Sequence, residues 1–169
     1  LARRKREQGI SARKRAFVAS LDSFFDRIQK DEPRREVALI FEDVQQALRA
    51  AKSDANPDQV ASRIIDAEVY AQNLLADIQK RHTIARPREI GLGTRLRREW
   101  EAYVAERERL QAEVFTPAAV ELRGTIGTAA EAARIHVDQR RRLQTLIIEA
   151  SDTVQQTIQS SAAETRRIA

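Results

Sequence analysis

At 169 residues the chain has the length of one ordinary domain or of two very small ones. The absence of cysteine excludes a disulfide scaffold, a thiolate zinc site, an iron–sulfur cluster and a cysteine nucleophile. With 5 glycines, 4 prolines, 5% aromatic and 33% charged residues, the composition suits long amphipathic helices, not a sandwich or a βα-alternating fold.

No apolar run approaches the ~18 residues of a membrane span, and a cytoplasmic chain is expected. Methionine is absent and residue 1 is leucine, so the chain is expected to be a processed form or a piece of a longer one. Its opening, Leu1-Ala2-Arg3-Arg4-Lys5-Arg6, would suit the cytoplasmic flank of a transmembrane helix outside the chain, or equally a cleaved or disordered basic arm.

The first element is a basic arm or helix start over 1–15. A helix follows on Phe17, Leu21, Phe24 and Ile28, spaced four, three, four, with Phe25 widening the stripe. It stops at 31–33, because Pro33 cannot continue a helix but fits the first turn of the next. The second helix carries Val37, Ile40, Phe41, Val44 and Leu48 and ends near 53–56. There Asn56 caps, Pro57 takes the first helical position, and Asp58 favours the positive end of the dipole. The third helix is the most regular, with Val60, Ile64, Ala67, Ala71, Leu74 and Ile78.

The longest non-periodic stretch, 82–93, contains Pro87, Gly91 and Gly93. Beyond it a fourth helix shows Leu96, Trp100, Tyr103, Leu110 and Val114, interrupted by Arg107. Thr116-Pro117 marks either a cap with a new helix or a kink in a continuing one. The stripe then runs through Val120, Ile126, Ala130, Ala133, Val137, Leu143, Ile147, Ala150, Val154 and Ile158. The first half of 117–169 is rich in small residues, Gly124 and Gly127 among them, and its last third is polar. Unbroken, this segment would reach ~80 Å.

The expected fold is all-α: an antiparallel helical bundle of about four helices over 16–116, with a long C-terminal helix, straight or kinked, over 117–169. The expected core is Phe17, Leu21, Phe24, Ile28, Phe41, Val44, Leu48, Ile64, Leu74, Ile78, Leu96 and Trp100.

The net charge of +5 is segregated. Residues 1–15 carry +6, 36–80 carry −4 and 81–98 carry +5. Candidate anion-binding residues are therefore Arg3, Arg4, Lys5, Arg6, Arg13, Lys14 and Arg15 in the arm. Arg86, Arg88, Arg95, Arg97 and Arg98 join them around the loop, where Gly91 and Gly93 precede a helix start. No aromatic interleaves the arm, against single-strand recognition. The loop lacks P-loop spacing, and Gly124-Thr125-Ile126-Gly127 matches a GxxG loop by letters alone.

Catalysis has little to stand on. Gln79 precedes His82 by three and Ala133 precedes His136 by three, so neither forms the Glu-x-x-His of a helical di-iron site. Two distant histidines without cysteine do not make a zinc site. The pairs Glu106/Glu108 and Glu42/Asp43 are sequence neighbours, expected to be solvated. Trp100 and Tyr103 share a face, as a core anchor or as an interface hot spot. No cofactor, metal or small-molecule substrate is implied.

Two functions are compatible with this pattern. One is a non-enzymatic helical scaffold or assembly subunit, a homo-oligomer or a binder of a helical partner. It would act through a coiled-coil-like face of Leu143, Ile147, Ala150, Val154 and Ile158. The alternative is a basic module that binds nucleic acid or an anionic membrane surface, as the soluble cytoplasmic part of a membrane-anchored protein.

Overall fold

The computed structural model describes residues 2–88 and 90–168. Leu1, Glu89 and Ala169, which the arm, the loop and the terminal helix include, lie outside the described residues. Among the described residues the chain is helical, with no strand.

Helix α1 (Ala2–Gln29) buries Phe17, Leu21 and Phe24, the four-then-three spacing that keeps one face inward. It stops where Asp31 turns left-handed at φ 55°, a conformation that Asp tolerates better than most residues. The Asp31 N–H donates to Ile28 O at 3.0 Å. Helix α2 (Glu32–Lys52) starts with proline in its first turn and buries Pro33, Val37, Ile40, Val44 and Ala51. The Ser53 hydroxyl closes it by donating to Ala50 O at 2.8 Å. Helix α3 (Pro57–Arg81) begins as the capping chemistry requires: the Asn56 side chain accepts from the Asp58 N–H at 3.0 Å, with Pro57 next in line.

After the connector, the described chain is one unbroken helix as far as Ile168. It comprises α4 (Thr94–Leu110), a wide π-helical segment (Gln111–Phe115), α5 (Thr116–Leu122), a second π-helical segment (Arg123–Gly127) and α6 (Thr128–Ile168). At the junction residues Gln111, Thr116, Arg123 and Thr128, φ stays between −60° and −64°. Of the two expectations for Thr116-Pro117, the continuing helix holds, and the break expected near Thr116 is absent. Proline is tolerated because the wide turn before it already displaces the regular hydrogen bond that its missing N–H would have made. This spine is roughly 110 Å long at 1.5 Å per residue.

The wide turns have an identifiable purpose. Leu110, Val114, Ala118, Leu122, Ile126 and Ala130 are all buried, at a strict spacing of four. On an ordinary helix that spacing drifts by about 40° per step, about 200° over the five steps. A π-bulge accommodates one extra residue, about 100° of phase. Two of them cancel the drift and hold one face toward α2 and α3.

The pairings along the spine give the topology. Phe17 packs on Trp100 at 5.8 Å and Phe24 lies edge-on to Tyr103 at 4.8 Å, while Arg34 reaches Glu113 at 3.2 Å. Numbers rise together, so α1 and then α2 run in the same sense as the spine, placed end to end with the Asp31 turn between. Helix α3 returns antiparallel to both α2 and the spine: His82 lies beside Glu36, and His136 beside Asp58. The antiparallel pairing expected of the bundle is thus made by α2 with α3 and by α3 with the spine, while α1 and α2 run end to end. The connector then lies back along α1, where Tyr103 Oη accepts from the Ile84 N–H at 2.6 Å.

Phe17, Leu21, Phe24, Val44 and Ile78 are buried as expected. Ile28, Phe41, Leu48, Leu74, Leu96 and Trp100 are half-buried against the core, while Ile64 is half-buried outside it. Val120 departs from its expected place in the stripe and is 60% exposed. Ala118 and Leu122 take the inner face, which leaves the residue midway between them pointing outward.

Candidate functional site

Two features stand apart from the packed middle, one at each end of the spine. The first is the outer part of α6. From Asp138 to Ile168 every described residue is exposed, so none of the described residues covers Leu143, Ile147, Ala150, Val154 or Ile158. Exposure is 53% at Leu143, 67% at Ile147, 57% at Val154 and 62% at Ile158, high for aliphatic side chains on one face. The steps of four, three, four and four are those of a seam that buries itself against another helix. Leu146 and Ile148, also exposed, broaden the band between Leu143 and Ala150. Leu146 keeps three-four spacing with Leu143 and Ala150 and was legible as an alternative to Ile147 in the seam, whereas Ile148 falls off that spacing and only its hydrophobicity was a signal.

The second feature is cationic. Residues 2–16 of α1 are helical and exposed on every side. Arg3, Arg4, Lys5, Arg6, Arg13, Lys14 and Arg15 therefore surround the helix instead of lining one face. Arg3 pairs with Glu7 at 3.2 Å and stays 93% exposed. The fold adds what the sequence left open: the second basic segment comes to the same end. Arg13 and Ala16 share a groove with Ala85 and Pro87, and Phe17 sits on Trp100, one turn into α4 from Arg97. Arg86, Arg88, Arg95, Arg97 and Arg98 are all exposed there. Arg95 lies 3.5 Å from Glu99 yet remains 94% exposed.

The two histidines singled out in the sequence act as ties between helices. The ring of His82, 2% exposed, places Nε2 3.0 Å from Glu36 Oε2 and joins the end of α3 to the start of α2. His136 Nε2 stands 2.9 Å from Asp58 Oδ1, and Arg140 reaches the other oxygen at 3.2 Å. The bond to His136 chiefly, with the Arg140 charge behind it, holds the Asp58 carboxyl below the usual carboxylate range. Glu68 is buried and accepts from Arg134, which fastens α3 to α6. Glu42, Asp43 and Glu108 are exposed, whereas Glu106 is half-buried and bonded to Arg109. Tyr103 is fully buried and Trp100 half-buried against it, so the aromatic pair anchors the core.

An apolar groove of 580 Å³ runs between α2 and α3, lined by Val44, Ala47, Tyr70 and Leu74 among others. Among the described residues no three His, Asp or Glu side chains gather as metal ligands would, and no helix is long and apolar enough to cross a membrane. Comparison with protein families, with curated proteins and with solved structures gives no match.

Proposed function

We propose that this chain is a helical assembly subunit, whose packed middle presents the outer half of α6 for pairing with a second copy. The observation that carries this reading is the uncovered stripe on α6. A helix that projects alone gains little from Val, Ile, Ser and Thr, which lower its intrinsic helicity. Burial of each Leu, Ile or Val side chain contributes roughly 1.5–3 kcal/mol. Four such residues therefore contribute about 6–12 kcal/mol toward holding a segment whose propensity is low. A second copy is a suitable partner because the segment carries a net charge of only +1 over 138–168, with Asp138, Glu149, Asp152 and Glu164 against Arg140–Arg142 and Arg166–Arg167.

The test is sedimentation across a concentration series, for the wild-type chain and for the triple variant Ile147→Asp, Val154→Asp, Ile158→Asp. The wild type is expected to gain mass with concentration. The variant should stay monomeric and lose helical circular dichroism from this segment alone. A wild-type chain that remains monomeric throughout, or a variant with unchanged mass and helicity, would remove the support for assembly.

A further inference from the structure

We propose that the cationic end of the molecule binds double-stranded DNA through its phosphates, with the exposed first half of α1 lying in the major groove. This goes beyond assembly and rests on different residues. The first observation is convergence: the fold brings +6 from residues 1–15 and the basic 81–98 segment to one end. Like charges placed together repel unless a polyanion neutralises them. Within α4 the same residues break a local rule. Gly93 offers no side-chain cap, the first turn holds no acid, and Arg95, Arg97 and Arg98 crowd the positive end of the dipole. Helices α2 and α3 obey the rule with Glu32 and Asp58.

The second observation selects the polyanion. A membrane-surface helix needs an apolar side to bury among the acyl chains. Over 2–16, Ile10 is the one large aliphatic residue, and cations occupy every side. Such a helix meets a flat surface with half of its charges. In a major groove about 12 Å wide, phosphates stand on both walls, so cations on opposite sides of the helix are used together. Residues 2–16 span roughly 22 Å, enough to cross both walls. Arg95, Arg97 and Arg98 at the base would reach the flanking backbone. Contacts of this kind fix position without reading bases, so sequence preference should be weak.

The probe is a fluorescent 20-base-pair DNA of mixed sequence, titrated by anisotropy from 50 to 200 mM salt. Vesicles of phosphatidylserine and phosphatidylcholine are assayed in parallel by co-sedimentation. Two triple variants are compared with the wild-type chain: Arg4→Gln, Lys5→Gln, Arg6→Gln in α1, and Arg95→Gln, Arg97→Gln, Arg98→Gln in α4. All six side chains are exposed, and circular dichroism checks that each variant keeps its helices. The expected result is DNA binding that weakens steeply with salt, with a log–log slope of about 0.9 for each phosphate that the protein neutralises. Each triple should lower the slope by about 2–3 and the affinity at ~0.1 M salt by tenfold or more. The proposal is overturned by a slope that neither triple alters, by no DNA binding at 50 mM salt, or by vesicle binding without DNA binding. A slope altered by the α1 triple alone overturns the composite surface.

Discussion

Phe24 and Phe41 look equivalent in the sequence, yet the fold treats them differently. Phe24 is wholly buried between Tyr103, edge-on at 4.8 Å, and Phe25 at 5.4 Å. Phe41 is half-buried at the side of the α2 stripe, because Val37, Ile40 and Val44 take the inner positions. Phe24→Ala is expected to cost about 3–5 kcal/mol, and Phe41→Ala about 1–2 kcal/mol for its smaller buried area. Urea unfolding of both variants checks the order; equal losses would contradict it. Asp58 provides a pH test. Its folded-state pKa is lowered by His136 and then by Arg140, so its contribution is complete above the unfolded value of about 3.9. That contribution is lost as pH falls through the folded value. The stability gap between the wild type and Asp58→Asn should therefore shrink as pH falls through the folded value, as thermal melts over an acid pH series would show. A gap that widens in acid would reverse the assignment.

At the scale of the element, the two π-helical segments explain how one helix keeps its face across the whole packed middle. Each carries one residue more than an ordinary turn, and the surplus faces solvent, at Gly124 and Thr125 in the second. Deletion of Gly124 should convert that segment to regular helix while Ile126, Ala130 and Ala133 keep their phase. Deletion of Ala132, within regular α6, rotates everything beyond it by about 100°. Arg134 would then leave Glu68, and His136 would leave Asp58. A buried carboxylate that loses its cationic partner costs about 3–5 kcal/mol. Chemical denaturation should thus rank the Gly124 deletion close to the wild type and the Ala132 deletion well below it. The opposite ranking would mean that the wide turns are not what sets the phase.

The whole molecule is a rod with its core in the middle and its unsatisfied surfaces at the ends. A compact chain of this length would have a radius of gyration of about 15 Å. The continuous helix from Thr94 to Ile168 alone spans roughly 110 Å. Small-angle scattering at the lowest concentrations should therefore give a maximum dimension of about 110 Å or more and a radius well above the compact value. A compact profile would mean that α6 folds back on the bundle. The same geometry separates the two proposed interactions. Pairing through α6 leaves the cationic end clear, so two copies would present two basic ends, and weak phosphate contacts would add through effective concentration.

Composition, helical periodicity and capping residues were enough to specify an all-α chain and the starts of α2 and α3, because those signals act within a turn or two of helix. Asn56-Pro57-Asp58 is the clearest case. The apolar stripe on α6 was likewise legible as a pattern, since three-four spacing needs no tertiary partner to be seen. Other features depend on residues far apart in the chain. A proline usually marks an end, so the continuity through Pro117 became evident only with the wide turns that absorb it. The left-handed Asp31 sends α2 onward along the spine, a choice that no local propensity encodes. The two basic segments meet because α1 and α4 run in the same sense, joined by Phe17 on Trp100 and Phe24 on Tyr103. Local chemistry selected the helices; long-range packing of aromatic and aliphatic faces decided which of them lie side by side and which surfaces stay uncovered.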